Sequence, residues 1–107
     1  MTIRFLPLLL MLTSSTAFAG TAIGRVTSIT VSNNSDTVLF QINKPIHNTP
    51  RCNATGQFAL HLKKPGGMAA YMALLEAKKH SYTVLIDGMN NCSGNWQSED
   101  IRTIKLN

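Results

Sequence analysis

The stretch AIGRVTSITVS, residues 22–32, is rich in β-branched residues, but its apolar side chains do not keep to one face of a strand. Three of them share one parity: Ile23, Ile29 and Val31. Val26 has the other parity, and this change of face indicates a bent strand. Gly24 lies next to the change, as is typical of the bulge at which a long strand turns a barrel corner. The stretch therefore predicts a first strand that coils around a small β-barrel.

Four further segments have strand composition: TVLFQIN (37–43), GQFALHL (56–62), SYTVLIDG (81–88) and EDIRTIKLN (99–107). The turn residues SNNSD (32–36) separate the first two strands and predict a hairpin. A loop with two prolines, residues 44–53, precedes the third strand. The last strand shows a second parity slip, between Ile101 and Ile104.

One helix is predicted between the third and fourth strands, in the segment MAAYMALLEAKK (68–79). Its larger apolar residues recur at i, i+3, i+4 and i+7, which predicts that they face the core: Met68, Tyr71, Met72 and Leu75. Lys78 and Lys79 lie at the C-terminal end, where the helix dipole favours positive charge. The helix has about three turns.

The element order β-β-β-α-β-β is that of a mainly β protein with one helix. Five strands, a bent first strand and a helix between the third and fourth strands predict a five-stranded, OB-fold-like Greek-key barrel. A β-grasp or another small α+β roll is the alternative architecture.

The first nineteen residues have the pattern of an export signal. Arg4 gives a positive start, an apolar run covers residues 5–12, and Ala17-Phe18-Ala19 forms an A-x-A cleavage site. We therefore expect residues 1–19 to be removed and residues 20–107 to form a single domain. The apolar run is much shorter than the roughly 20 residues of a membrane span, so we predict no membrane span. The signal pattern predicts an exported bacterial product, periplasmic or secreted.

The chain has two cysteines, Cys52 and Cys92. An even number of cysteines in an exported chain predicts a disulfide bond, which supplements the small core of a domain of this size. A metal site is not indicated, because no second Cys or His stands at metal-ligand spacing.

The composition is mildly basic, with a formal net charge of +5. This balance favours acidic partners such as anionic glycans, lipopolysaccharide or another protein, and scattered surface lysines are the alternative explanation. No nucleic acid is expected as a partner. Binding single strands requires exposed aromatic side chains, whereas the parity of Phe40 and Phe58 places both in the core.

The candidate ligand site lies in the loops after the first and fourth strands, 32–35 and 90–98, because these loops form the usual binding surface of OB-folds. Trp96 supplies an apolar plate in an otherwise polar loop. Amide side chains that can bond sugar hydroxyls surround it: Asn91, Asn95 and Gln97. The alternative is structural, with Trp96 covering the disulfide or the open end of the barrel.

Catalysis is not indicated. His47, His61 and His80 lie in a loop, on a strand and after the helix, without the spacing of a metal site or a nucleophile-base pair, and we interpret each as a surface histidine. Glu99 and Asp100 are adjacent on a strand, so their side chains point to opposite faces. We therefore predict a protein without enzymatic activity and without a cofactor. A ribonuclease that uses His and Lys is the alternative, and no feature of the sequence selects it.

The pattern resembles the B subunits of pentameric bacterial toxins of the subtilase-cytotoxin and typhoid-toxin type. Three segments carry the resemblance: Gly24-Arg25-Val26, Val38-Leu39-Phe40, and MALLEAKK leading into YTVLID. The chain also resembles uncharacterised exported bacterial proteins with a Cys-x-x-x-Trp loop followed by Ser-Glu-Asp-Ile, here Cys92 to Ile101. The toxin resemblance implies an exported OB-fold that binds glycans and assembles as a homo-oligomer. It does not extend to sialic acid, because Ile23 stands where those subunits have a serine.

These observations together predict an exported binding module whose ligand is a glycan. The alternative is a module that binds another protein, as an enzyme inhibitor or an assembly subunit, with Trp96 as the interface anchor.

Overall fold

The computed structural model describes residues 19–94 and 97–107. Its elements are β1 (Thr21–Gly24), β2 (Val26–Val31), β3 (Thr37–Ile42), β4 (Phe58–His61), α1 (Gly67–His80), β5 (Val84–Gly88) and β6 (Glu99–Leu106). The strands form one sheet in the order β1-β5-β6-β4-β3-β2. Neighbouring strands are antiparallel except for the parallel pair β4 and β6. Within this part of the chain, no helix is long and apolar enough to cross a membrane.

The bend in the first strand is confirmed, and it divides the predicted strand into β1 and β2 at Arg25. The N–H of Arg25 donates to Oδ1 of Asn43 (2.9 Å), and the N–H of Asn43 donates to the carbonyl of Arg25 (2.9 Å). A Cβ at residue 24 would collide with the Asn43 side chain, so Gly24 is required for this close approach. The pairing of β2 with β3 also shifts register between Val26 and Ser28.

The two halves of this bent strand lie at opposite ends of the sheet order, although only one residue separates them. A sheet whose two edges are joined in this way curls back towards itself. The mainly β architecture with one helix is therefore confirmed, and it is compatible with a small barrel-like fold.

Alternating residues of β3 and β5 supply much of the core. Val38, Phe40 and Phe58 are fully buried, as are Val84 and Ile86 on β5. The rings of Phe40 and Phe58 pack with their centroids 5.6 Å apart across the β3–β4 pair. Both phenylalanines are thus core residues, as expected.

Most of the predicted inward face of the helix is wrong. Of its four residues, only Tyr71 is partly buried and packs against the core. Met68, Met72 and Leu75 are 54%, 65% and 42% exposed, whereas the helix buries Gly67, Leu74 and Ala77. The reason is steric, because small residues allow the helix backbone to approach the sheet closely. A Cβ at residue 67 would overlap the carbonyl oxygens of His61 and Leu62.

Candidate ligand site

The predicted site residues that the structure describes lie at the two ends of the β5–β6 loop. The side chains of Asn91 and Gln97 are exposed. The carbonyl of Asn91 accepts the N–H of Asp100 (2.9 Å), and the carbonyl of Gln97 accepts the N–H groups of Ala54 and Thr55 (3.0 and 3.2 Å). These backbone bonds anchor the loop and leave both amide side chains facing solvent. Asn95 and Trp96 lie outside the described residues.

The predicted disulfide bond between Cys52 and Cys92 is confirmed, with the two Cα atoms 6.0 Å apart. It ties the β5–β6 loop to the loop before β4. That second loop is ordered by Asn53, a buried side chain whose Nδ2 donates to the carbonyl of Gln57 (3.1 Å) and whose Oδ1 accepts the N–H of Gly56 (3.0 Å). The candidate binding loop therefore has a covalent anchor on a well-bonded neighbour.

His61, at the end of β4, connects the β5–β6 loop to the neighbouring strands β3 and β6. Its Nε2 lies 2.7 Å from Oδ1 of Asp100 on β6 and 3.2 Å from Oγ of Ser93 in the β5–β6 loop. Its Nδ1 lies 3.0 Å from Oγ1 of Thr37, just after the β2–β3 turn. The interpretation of His61 as a simple surface histidine is therefore wrong, because the ring is half-buried and bonded on both nitrogens.

Asp100 is fully buried, and its charge is stabilised by its neighbours. Burial on its own raises the pKa of this carboxyl group. Hydrogen bonds from the Ser93 hydroxyl, the His61 ring and the Ser93 backbone, together with the attraction of His61, outweigh burial and hold the pKa below its ordinary value. An ionised carboxylate can only accept, so Nε2 of His61 carries a proton and donates to Asp100.

This arrangement differs from a nucleophile-base relay. In such a relay the carboxylate and the nucleophile contact different nitrogens of the imidazole ring. Here Ser93 and Asp100 share Nε2, which donates to the carboxylate and therefore cannot accept the proton of Ser93. The geometry instead holds the β5–β6 loop against β4 and β6.

The other two histidines are remote from this cluster. The backbone of His47 pairs with Thr21 at the start of β1. His80 contacts Glu76 on the same helix (3.0 Å) and stacks on Tyr82. In residues 19–94 and 97–107, no group of three or more His, Cys, Asp or Glu side chains is placed to hold a metal ion.

A basic cleft of about 220 Å³ lies beside His61, between the start of α1 and the strands β4 and β6. Its charged walls come from Lys64 before the helix and Arg102 on β6. Met89 adds an apolar side chain, and Gly66 and Gly67 form the floor at the helix start. None of the described lining residues is acidic. We name this cavity the basic cleft.

Sequence reasoning did not identify the basic cleft. Lys64 and Arg102 are far apart in the chain and lie in no motif. They line the same cavity because β4 and β6 are neighbours in the sheet and α1 begins next to them. The sequence offered one weak signal, the breaker KPGG before the helix, which brings a lysine close to the helix N-terminus.

A second cavity, of about 300 Å³, lies along β1. It is lined by Ile23, Pro45 and Leu85, with Lys44 and His47 at its border. This cavity shares no lining residue with the basic cleft, and its lining is largely aliphatic.

Comparisons with family models, with curated proteins and with solved structures find no match for this chain.

Proposed function

We propose that this chain is an exported, non-enzymatic binding module with an OB-fold and that its ligand is an acidic glycan. The observation that carries the proposal is the basic cleft, where Lys64, Arg102 and His61 lie together and His61 contacts Ser93 of the β5–β6 loop expected to bind ligand.

The strand order supports the OB-fold. If β1 and β2 are counted as halves of one bent strand, the sheet reads 1-4-5-3-2-1 in a five-strand numbering. The helix lies between the third and fourth of these strands. A five-stranded, partly open Greek-key barrel of this kind binds oligosaccharides at the loops identified above.

Export is supported by the signal-like sequence of residues 1–19 and by the disulfide bond between Cys52 and Cys92. Disulfide bonds of this structural type persist in oxidising compartments. An exported module meets glycans of cell surfaces and envelopes, which is consistent with the proposed ligand class.

The chemistry of the basic cleft fits an acidic sugar. Arg102 can bond a carboxylate or sulfate group with two parallel N–H groups, and Lys64 adds a second charge. The N-terminal N–H groups of α1 add partial positive charge, because neither a capping side chain nor an acidic residue occupies the first turn. Asn91, Asn95 and Gln97 would bond the hydroxyl groups, and Trp96 would stack on the apolar face of a sugar ring.

A glycan array tests the proposal. The full chain is expressed with its own leader, and the processed product is purified with its disulfide intact. Wild type is compared with Lys64→Ala, Arg102→Ala and Trp96→Ala, and with Lys105→Ala as the control, since Lys105 is an exposed cation on β6 outside the cleft. Circular dichroism first establishes that every variant is folded.

The expected result is binding of acidic but not neutral glycans by wild type and Lys105→Ala. Arg102→Ala and Lys64→Ala each weaken binding about tenfold or more, the usual effect of losing a charge-assisted hydrogen bond. Loss of binding only in Trp96→Ala would keep the glycan function but move it away from the basic cleft. Absence of glycan binding by wild type, with capture of a protein partner that Trp96→Ala abolishes, would favour the protein-binding alternative.

A further inference from the structure

Glu99, the first residue of β6, is a fully buried carboxylate. Its Oε2 accepts two backbone N–H groups, from Gly20 (3.0 Å) and Asn90 (2.9 Å). Its Oε1 has no hydrogen-bond partner among the described residues, and no Lys, Arg or His of residues 19–94 and 97–107 forms an ion pair with it. Burying a carboxylate without a positive partner is costly, so this group calls for an explanation.

Two glycines make room for the Glu99 carboxylate. A Cβ at residue 20 would collide with Oε1, and a Cβ at residue 88 would collide with Oε2. Gly20 is itself buried, and its N–H points at the carboxylate. The main chain at Gly20 therefore lies against both oxygens, including the one that lacks a partner.

Gly20 is also the residue that would follow the cleavage site, because the A-x-A pattern ends at Ala19. We propose that removal of the leader creates the partner of Glu99. The new α-ammonium group of Gly20 lies against the buried carboxylate and forms an ion pair with it.

The chemical step is hydrolysis of the Ala19–Gly20 peptide bond by a leader peptidase. One water molecule is consumed, and the leader is released with a carboxylate at Ala19. The mature chain then begins at Gly20, whose nitrogen is an ammonium group at neutral pH. Before cleavage this nitrogen offers one N–H and no charge. After cleavage it offers three N–H groups and a positive charge, enough to bond both oxygens of Glu99.

Cleavage would therefore stabilise the fold as well as release it from the leader. The other ionisable groups close to this end of β1 are occupied or differently placed. Asp87, opposite Thr21 in the β1–β5 pair, accepts a hydrogen bond from the Thr103 hydroxyl (3.1 Å), and His47 meets Thr21 through its backbone. Glu99 is the carboxylate whose oxygen already accepts a hydrogen bond from the Gly20 nitrogen.

Three measurements test the inference. N-terminal sequencing of the exported protein is expected to begin at Gly20, and a start at any other residue would overturn the proposal. Equilibrium unfolding in urea then compares the chain that begins at Gly20 with one that retains Ala19, each with Glu99 or with Glu99→Gln. Asp87→Asn in both lengths is the control for loss of a nearby carboxylate.

Retaining Ala19 is expected to lower the folding equilibrium constant about tenfold or more when Glu99 is present, and to have little effect when it is Gln. The Asp87→Asn control is expected to leave the effect of Ala19 unchanged. An equal loss from Glu99→Gln in both chain lengths would show that Glu99 serves only the backbone N–H groups, and it would overturn the ion pair.

The third measurement, the reactivity of the α-amino group, does not require Glu99→Gln to fold. In the native wild-type protein, the α-amino group of Gly20 is expected to react with an acylating reagent at least about tenfold more slowly than in urea, because the group is buried and protonated. Equal rates of reaction in the folded and unfolded states would contradict the proposal.

Discussion

Nε2 of His61 lies 2.7 Å from Oδ1 of Asp100, although α1 and β5 separate their strands, β4 and β6, in the sequence. The parallel pairing of β4 and β6 places Ala59 opposite Asp100, and His61 shares the face of Ala59. Together with the contacts of His61 to Thr37 and Ser93, the contact with Asp100 connects β3, β4, β6 and the β5–β6 loop. His61 also lines the basic cleft.

Replacing Asp100 with Asn is expected to lower the free energy of unfolding by about 2 kcal/mol, because hydrogen bonds to a buried carboxylate lose their charge. Urea unfolding at neutral pH measures the loss. Asp36→Asn is the control: its ion pair with Lys63 (3.1 Å) is exposed, and its removal is expected to cost less than about 0.5 kcal/mol. Equal effects of the two substitutions would contradict the role given to Asp100.

The pH dependence of stability follows from the lowered pKa of Asp100. The folded-state pKa lies below the unfolded value, so its contribution is fully present above the unfolded pKa and is lost as the pH falls through the folded pKa. Urea midpoints measured from about pH 6 down to about pH 2 are expected to fall more steeply in wild type than in Asp100→Asn. Identical slopes would show that Asp100 has the same pKa in both states.

Removing the disulfide bond by Cys52→Ser with Cys92→Ser is expected to cost about 4 kcal/mol of unfolding free energy, given the separation of 40 residues between the two cysteines. Wild type treated with a reductant is expected to match the double variant in thermal unfolding. The same double variant is expected to bind glycans more weakly on the array, because its β5–β6 loop is no longer held by the disulfide bond. A reduced protein as stable as the oxidised one would refute the stabilising role of the bond.

Two adjacent leucines test which face of the helix packs on the sheet. Leu74 is fully buried and Leu75 is 42% exposed. Leu74→Ala is expected to cost about 2–5 kcal/mol, whereas Leu75→Ala is expected to cost less than about 1 kcal/mol. Thermal or urea unfolding distinguishes the two. A larger loss at Leu75 would mean that the exposed stripe with Met68 and Met72 is covered in solution, as in a homo-oligomer.

The strands could be predicted because their signal is local. Alternation in 37–43 and 81–88 requires only that one side of a strand be buried, and the parity change around Gly24 requires only a bend. The helix face could not be predicted in the same way. Both of its faces carry apolar residues, and the choice between them depended on how closely Gly67 and Ala77 allow the backbone to approach the sheet.

The disulfide bond and the position of the loop after the fourth strand could be predicted, whereas the binding role of Asn91, Asn95, Trp96 and Gln97 remains a prediction. The loop after the fourth strand, its disulfide anchor and the exposed amides of Asn91 and Gln97 follow from composition and cysteine count. The placement of Trp96 remains a prediction. The contacts of His61 and the cations of the basic cleft come from residues distant in the chain, and no local pattern marks them.

The sequence by itself determined the strand and helix segments, the bend at Gly24 and the pairing of the only two cysteines, because each depends on neighbouring residues or on a count. Only the tertiary structure decided which helix face is buried, that Asp100 meets His61, and that Glu99 lies against Gly20. The two contacts of buried carboxylates depend on the register of β4 with β6 and on the pairing of β1 with β5. Register is set by packing over the whole sheet, and it alone brings buried charges together with groups that can bond them.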